Sequence, residues 1–456
     1  MPEDSYDCLV IGSGPGGYVA AIRAAQLGMK AAVAERDKIG GRCLNYACIP
    51  AKAVLRTADI LSEVREAGDY GIKVSEPEID FTGVVARREK VVSTLTGGVA
   101  GLMKKNKIDV LEGDASLSGD GAVKVGERTI AAKTIVLATG SVKRPIPGAE
   151  FGGRVIGTEE AWALSELPAS MAVVGAGASG AEIASAYARL GVEVSLFEAL
   201  ERVLPTEDAD ISKLAERGLK RQGMSIHTGT LVTDVKSGKS SVKFTYGEQS
   251  GEVDWLVIAA GRGADVDGLG LDAAGVKLGA GGLIEVDGAM RTSAAGIYAI
   301  GDLVPGPALA HKASDEGVIA VEDAAGMTTH PIEYIDIPRA TFCTPNVASF
   351  GLTEAQAREQ GYDVVVGKVQ YGAVGAGTIY GDRTGLVKIV GETRYGELLG
   401  GHIVGAKATE LIQELVNARG LEGGYPEVAR TIHGHPTMSE AVMEAARAAD
   451  GWLIHG

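Results

Sequence analysis

Two stretches of the chain carry the same succession of apolar and polar positions. Residues 6–35 open with the apolar run Tyr6-Asp7-Cys8-Leu9-Val10-Ile11, pass through Gly12-x-Gly14-x-x-Gly17 and an Ala-rich amphipathic stretch, and close with Met29-Lys30-Ala31-Ala32-Val33-Ala34-Glu35. Residues 170–198 repeat this with Met171-Ala172-Val173-Val174, then Gly175-x-Gly177-x-x-Gly180, another Ala-rich stretch, and Val192-Glu193-Val194-Ser195-Leu196-Phe197-Glu198. Each copy predicts a strand, a glycine turn, a helix and a strand ending in an acid. The first glycine and the acid are 23 positions apart in both copies (35 − 12 and 198 − 175).

That succession is a βαβ dinucleotide-binding unit written twice. Gly12 and Gly175 permit the sharp turn, Gly14 and Gly177 let backbone reach a pyrophosphate, and Gly17 and Gly180 let helix pack on strand. The helix N-terminus offers N–H groups and a partial positive charge to phosphate. Glu35 and Glu198 are placed to accept hydrogen bonds from ribose hydroxyls. One such motif is a weak signal; two, each with the acid at the expected distance, are a strong one.

Three further apolar runs end at a glycine or an acid: Thr134-Ile135-Val136-Leu137-Ala138-Thr139-Gly140, Trp255-Leu256-Val257-Ile258-Ala259-Ala260-Gly261-Arg262 and Ile297-Tyr298-Ala299-Ile300-Gly301-Asp302. Open α/β sheets bind ligands at such strand ends. The predicted division is a first dinucleotide unit over residues 1–149, with 70–134 as an insertion, and a second over 150–269. A central segment over 270–336 returns to the first unit, and a different domain occupies 337–456. That last part has no glycine fingerprint; strands are expected near 363–371 and 387–394, and helices near 406–419 and 438–449. The fold class is therefore α/β, with two Rossmann-like dinucleotide-binding domains plus a C-terminal α+β domain.

Composition adds limits. Glycine supplies 65 of 456 residues, gathered in short clusters, which suits tight turns where backbone approaches a ligand. The net charge of −15 argues against a nucleic-acid binder, which needs clustered Lys and Arg. No apolar run reaches the length of a membrane span. The opening Met1-Pro2-Glu3-Asp4 reads as neither a signal nor a transit peptide, so a cytoplasmic location is expected, or the mitochondrial matrix if a presequence has been removed.

Four cysteines in so long a chain are not a disulfide framework. Cys8 and Cys343 read as small buried hydrophobes. Cys43 and Cys48, in Gly40-Gly41-Arg42-Cys43-Leu44-Asn45-Tyr46-Ala47-Cys48-Ile49-Pro50-Ala51-Lys52, follow the first βαβ unit directly. A zinc site would need two more ligands nearby, and none is close in sequence; no metal is expected. In an ideal helix positions i and i+5 lie roughly 8–9 Å apart, beyond disulfide range, so a bond would need a non-helical start. Pro50 favours the first turn of a helix, which places Cys48 at its mouth and Cys43 before it. A sulfur at a helix N-terminus has its thiolate stabilised, so Cys48 is the candidate low-pKa sulfur and Cys43 the exchanging one. Two buried thiols are the plain alternative.

This stretch resembles the redox-active loop of the FAD-dependent pyridine nucleotide–disulfide oxidoreductases. The two βαβ units, the Ala-Thr-Gly strand and the Gly301-Asp302 edge match that family in order and spacing over essentially the whole chain. The resemblance implies FAD on the first unit and NAD on the second, with a Cys43–Cys48 redox disulfide. Cys48 would lie against the flavin, Asp302 would bind the ribityl chain, and Lys52 would sit near the flavin edge and pair with Glu182. It places Gly41, Arg42, Ala115, Thr139, Gly140, Ala310 and His311 around FAD. It places Val232 and Gly261, with the second glycine turn and Glu198, around NAD.

Near the C-terminus, His433-Gly434-His435-Pro436-Thr437-Met438-Ser439-Glu440 resembles the family's acid–base motif. Thiol–disulfide exchange needs a base that titrates in the useful range, and a carboxylate on the other ring nitrogen would orient it. That maps His435 to the base, Glu440 to its orienter and His433 to a structural role. The resemblance further implies that the C-terminal domain forms a homodimer in which the base serves the other subunit's disulfide. A carboxylate at Glu198 suits the free 2′-hydroxyl of NAD and repels the phosphate of NADP. Together with the segments 14–28 and Ala308-Leu309-Ala310-His311-Lys312-Ala313, this points to the branch of the family that oxidises dihydrolipoamide. Lipoyl domains of a 2-oxo-acid dehydrogenase or glycine-cleavage complex are then the expected partners, with no nucleic acid and no membrane. Arg42, Tyr46, Ala47 and Ala51 depart from the usual small residue, Val, Gly and Ser around the redox loop. Another disulfide or mercuric-ion reductase, or a non-catalytic flavoprotein scaffold, are the rival readings.

Overall fold

The computed structural model describes residues 5–119 and 121–456; Met1–Asp4, read above as an acidic opening, lie outside the described residues. The chain groups into two compact units. The first is built from Met1–Ala53, Thr82–Arg144 and Gly261–Tyr334, the second from Val54–Phe81, Pro145–Ala260 and Ile335–Gly456.

In the first unit, β1 (Ser5–Ile11) is followed by α1 (Pro15–Gln26) and β2 (Ala31–Glu35). Cys8, Leu9 and Val10 are fully buried, as a central parallel strand covered on both faces requires. Helix α1 buries Gly16, Gly17, Ala20, Ala21 and Ala24, a stripe of small residues spaced three and four apart. Next come α2 (Gly41–Asn45), α3 (Cys48–Glu66), α4 (Phe81–Lys105), β3 (Asp109–Glu112), β4 (Ala115–Leu117), β5 (Ala122–Val125), β6 (Arg128–Leu137) and β7 (Ser141–Lys143). The sheet order is β3-β2-β1-β6-β5-β4, and the strand Ile297–Ala299 pairs parallel with β6. β3 lies parallel to β2, whereas β4 and β5 form an antiparallel ribbon on β6.

The expected insertion over 70–134 is thus corrected: residues 109–137 supply strands to the same sheet. The pattern was hard to read because β3 buries only Leu111 and shows neither alternation nor an apolar run.

The second unit repeats the plan. After β8 (Val155–Gly157) and α5 (Thr158–Trp162) come β9 (Ser170–Val174), α6 (Ala178–Arg189), β10 (Glu193–Phe197), α7 (Ala209–Arg221), β11 (Ser225–His227), β12 (Val232–Ser237), β13 (Val242–Tyr246), β14 (Gln249–Val253) and β15 (Trp255–Ile258). The parallel sheet runs β11-β10-β9-β15-β8, and β12-β13-β14 form a separate antiparallel ribbon. The C-terminal part of this unit is an antiparallel sheet ordered Arg339–Thr341, Val347–Gly351, Leu398–Val404, Leu386–Glu392, Val364–Gln370. The helices Ala408–Gly420 and Glu440–Ala449 pack on it through a core that includes Phe350, Tyr371, Ile389, Leu415 and Val442. Their bounds follow the helices expected from the sequence closely. Among the described residues, no helix is long and apolar enough to cross a membrane.

Candidate functional site

The two glycine turns are near copies. Gly12 and Gly175 have φ of 103° and 102°, a region in which an ordinary side chain is strained. A Cβ on Gly17 would strike the Gly12 carbonyl, and one on Gly180 the Gly175 carbonyl. Around Gly14 and Gly177 a Cβ would meet nothing within 4 Å, and neither α1 nor α6 has a side-chain N-cap. The first and third glycines are therefore demanded by the protein itself. The second leaves open space at an uncapped helix end, which fits a diphosphate-bearing ligand at each turn.

The acids close the turns. Glu35 Oε2 accepts the Ser13 N–H at 2.9 Å and the Ser13 hydroxyl at 2.5 Å, while Oε1 accepts the Asp37 N–H at 2.9 Å. Glu198 Oε2 accepts the Ala176 N–H at 2.7 Å, and Oε1 the Leu200 N–H at 3.0 Å. Each carboxylate has lone pairs beyond these for a ribose.

The redox loop is packed onto the first turn. Gly41 has φ of 58°, and a Cβ there would come within 2.7 Å of the Gly14 Cα. Cys43 sits on the short helix α2, which breaks at Tyr46 (φ −132°, ψ −17°), and α3 begins at Cys48. That break brings together two sulfurs that a continuous helix would hold apart, and Cys43 shares a side-chain hydrogen bond with Cys48. The hydrogen bond, then burial, then the charge of Cys48 push the Cys43 thiol far above its usual value, against the pull of Lys52 and Arg42. Asn45 ties the loop down through Nδ2 to the carbonyls of Ile39 and Gly41. Tyr46 donates to Asp37 at 2.7 Å, and the Lys38 ammonium lies 5.2 Å from its ring centre. Cys8, by contrast, is buried in the core with its thiol pushed up to about 12, and Cys343 is buried with its sulfur on the Pro345 carbonyl.

At the end of the strand Ile297–Ala299, the turn Gly301–Leu303 carries Asp302. Asp302 accepts the Ser141 hydroxyl at 2.5 Å, and Arg262 holds Ser141 through its hydroxyl (2.9 Å) and carbonyl (2.5 Å). Thr139 and Gly140 both bind the backbone of Asp265, Thr139 by its hydroxyl at 2.6 Å and Gly140 by its carbonyl at 2.9 Å. Ala310 opens the helix Ala310–Ala324, His311 is exposed beside it, and Ala115 stands on β4. The structure thus gathers Gly12, Gly14, Gly17, Glu35, Gly41, Arg42, Cys43, Cys48, Lys52, Ala115, Thr139, Gly140, Asp302, Ala310 and His311 in the first unit. Gly261, expected with NAD, also falls there.

Gly175, Gly177, Gly180, Glu182, Glu198, Val232, His435 and Glu440 belong to the second unit. Glu182 is buried in α6 and accepts the Phe342 N–H at 2.9 Å. Val232 is buried against the aromatic core of the β12-β13-β14 ribbon, so only its backbone can face a ligand. The His435 side chain is 76% exposed, and its Nδ1 meets Glu440 Oε1 at 2.9 Å. Glu440 Oε2 accepts the Thr437 N–H. Burial raises the Glu440 carboxyl, but the Thr437 N–H and the His435 ring outweigh it and hold it below the usual range. The arrangement leaves Nε2 of an oriented imidazole facing outward. His433 is held at both ring nitrogens, by the Thr431 carbonyl and by Glu414, as a structural histidine would be.

Sequence reasoning missed Ser13, which links Glu35 to the redox loop by accepting the Gly40 N–H at 3.1 Å. It also missed Ser141 and Arg262 behind Asp302, and the buried pair Lys312 and Glu316. The only signal for the last two was their i,i+4 spacing within a helix otherwise rich in small residues.

Comparison with known proteins gives the family. Residues 6–317 match the family profile of the pyridine nucleotide-disulphide oxidoreductases, and residues 337–446 that of the same family's dimerisation domain. The dihydrolipoyl dehydrogenase of Rhizobium etli is 43% identical over 99% of both chains, and one of that name from Bacillus subtilis is 41% identical over 99% of both. Among solved structures, LpdA from Mycobacterium tuberculosis superposes with a TM-score of 0.91 at 28% identity, covering 96% of this chain and 99% of the other. The HOCl-induced flavoprotein disulfide reductase RclA of Escherichia coli gives 0.87 at 26% identity, covering 98% and 100%.

Proposed function

Because this chain belongs to the pyridine nucleotide-disulphide oxidoreductase family, we propose that it is an enzyme that oxidises protein-bound dihydrolipoyl groups, with NAD as the acceptor. One observation carries the reading. Two hydrogen-bonded sulfurs stand at the mouth of a helix, on a loop packed onto the first glycine turn, in a chain alike end to end to proteins named dihydrolipoyl dehydrogenase.

FAD is held by Gly12, Gly14, Gly17, Glu35, Gly41, Arg42, Lys52, Ala115, Thr139, Gly140, Asp302, Ala310 and His311. NAD is held by Gly175, Gly177, Gly180, Glu198, Val232 and Gly261. When bound, FAD supplies the two-electron relay between the cysteine pair and NAD. The protein residues manage the sulfur chemistry. A substrate thiolate bonds to Cys43 Sγ as the Cys43–Cys48 bond breaks, and Cys48 leaves as a thiolate stabilised by the N-terminus of α3 and by Lys52. The second substrate thiol gives its proton to His435, and its sulfur attacks the sulfur bonded to Cys43. The lipoyl disulfide closes, Cys43 is released, and two electrons have passed from substrate to the cysteine pair. Glu440 fixes the His435 ring so that Nε2 takes that proton. Glu182 completes the proposed catalytic set.

The match to a dimerisation domain supports a homodimer; in the proposed mechanism His435 serves the cysteine pair of the second subunit. The lipoyl domains of a 2-oxo-acid dehydrogenase or glycine-cleavage complex are the proposed partners, and the cytoplasm the proposed location. The test follows NADH formation by purified protein with dihydrolipoamide and NAD, with NADP in parallel. Rapid NAD-dependent turnover is expected. Turnover only with NADP, or only in reduction of other disulfides or metal ions, would overturn the substrate assignment.

A further inference from the structure

The helix Ala310–Ala324 places Lys312 and Glu316 one turn apart, and both side chains are completely buried, paired Nζ to Oε1 at 3.1 Å. Taking two charges out of water costs much of what their attraction returns, and an apolar pair of similar volume is often as stable or more so. Fold stability alone is therefore a poor reason for the pair.

Both charges also bond one and the same residue, Gly301. Lys312 Nζ donates to the Gly301 carbonyl at 2.9 Å, and Glu316 Oε2 accepts the Gly301 N–H at 2.7 Å. Tyr334 donates its hydroxyl to Glu316 Oε1, and the Lys312 ammonium lies 5.2 Å from the Tyr334 ring centre. Burial holds the Glu316 carboxyl above its ordinary value, while Lys312, Tyr334 and the Gly301 N–H pull the other way. Gly301 has φ of 72°, so its peptide is gripped in a turn where the regular strand has already ended. The next residue is Asp302, whose carboxylate accepts the Ser141 hydroxyl from the other side, with Arg262 in turn holding Ser141.

We infer that Lys312 and Glu316 are positioning residues of the flavin site, fixing through the Gly301 peptide the direction in which Asp302 meets the ribityl chain. The inference rests on the reading that the first unit holds FAD through Asp302. The pair touches no reacting atom; it removes the freedom of the turn before the cofactor arrives, so that binding does not have to.

The test compares the full chain with K312M/E316L and E316Q, each prepared with FAD bound. Release of FAD and the visible flavin spectrum report on the site, and thermal unfolding of the flavin-free chain reports on the fold. The expected result for the double variant is FAD binding weakened by about tenfold or more, with flavin bands moved towards those of free FAD, and a lowered unfolding temperature of the flavin-free chain, because the Gly301 N–H and the Tyr334 hydroxyl lose their acceptor. E316Q, which keeps an acceptor for the Gly301 N–H, should show the same change at a smaller size. Should the double variant not fold, E316Q alone decides, by weakened FAD binding in a chain that unfolds as the wild type does. Variants that keep wild-type FAD affinity and spectrum overturn the positioning role while leaving the flavin reading intact. A wild-type chain that takes up no FAD overturns both.

Discussion

The two dinucleotide units share a sheet order, a glycine turn and an acid on the amide that follows the first glycine, yet they are finished differently. In the first, the residue after Gly12 is a serine whose hydroxyl joins Glu35 to the Gly40 amide, and so to the redox loop. In the second, the corresponding Ala176 has no hydroxyl, and Glu198 accepts the backbone N–H groups of Ala176 and Leu200. The first turn also lies under a neighbouring helix: Gly16 is buried, and a Cβ there would meet the Ala313 carbonyl at 2.8 Å. Its counterpart Ser179 is exposed. Each unit has a buried lysine, but Lys312 grips the turn before Asp302, whereas Lys388, on the C-terminal sheet, binds Asp208 and Asp210 at the start of α7 and Glu354 at the start of the helix Glu354–Glu359. A tied-down, covered site suits a resident cofactor, and a plainer, open one suits a dinucleotide that must come and go.

The largest way to break this contrast removes what only the first unit carries. C48S should lower dihydrolipoamide turnover by roughly 10³-fold or more, as loss of a nucleophilic or leaving sulfur does. FAD should stay bound, and NADH should still bleach the flavin; retained turnover would remove Cys48 from the chemistry. H435Q should cost roughly 10²–10⁴-fold in the dithiol half-reaction and leave flavin reduction by NADH unchanged, which stopped-flow absorbance separates.

Next in size, the two acids should act on different ligands. E198Q is expected to raise the KM for NAD by about tenfold, the worth of a charged hydrogen-bond acceptor, and leave FAD content intact. E35Q should do the reverse. Variants that both disturb the same ligand would end the division of labour.

This pair of acids also shows what the sequence made legible. The turns, their acids and the cysteine loop could be read because each is encoded within about 30 consecutive residues at fixed spacing. The interior ties could not. Lys312 and Glu316 look like an ordinary surface i,i+4 pair until burial is known, and Lys388 meets Asp208 from 180 positions away. The strands β3 to β5 were likewise hidden, since each is only three or four residues long and too short to carry a clear apolar period. Residues 54–81 group with the second unit although they continue a helix begun in the first, which no local composition announces.

A smaller effect is expected from S13A. Losing the hydroxyl link should cost about 1 kcal/mol, seen as several-fold faster FAD release with the KM for NAD unchanged. Equal effects on both ligands would mean that the serine supports the fold at large.

The smallest effect on cofactor binding concerns Lys388. Lys368 and Lys388 hold the Asp210 carboxyl down at about 2. A carboxyl depressed in the folded state contributes stability above its unfolded value of about 3.9, and that contribution is lost as pH falls through about 2. K388M should therefore flatten the dependence of stability on pH between about 4 and 2, measured by acid titration of denaturant midpoints, and leave FAD retention alone.

The contact between Gly41 and Gly14 limits how this enzyme can be tuned electrochemically. A side chain at 41 would press on the phosphate turn itself, so the loop cannot be remodelled there without loosening the cofactor's seat. Arg42, Tyr46, Ala47 and Ala51 are not among the nearest atoms that a side chain at 41 would meet. Tyr46 turns outward to Asp37, while Ala47 and Ala51 are buried small residues. Any remodelling of the loop must therefore turn about Gly41 as its fixed pivot.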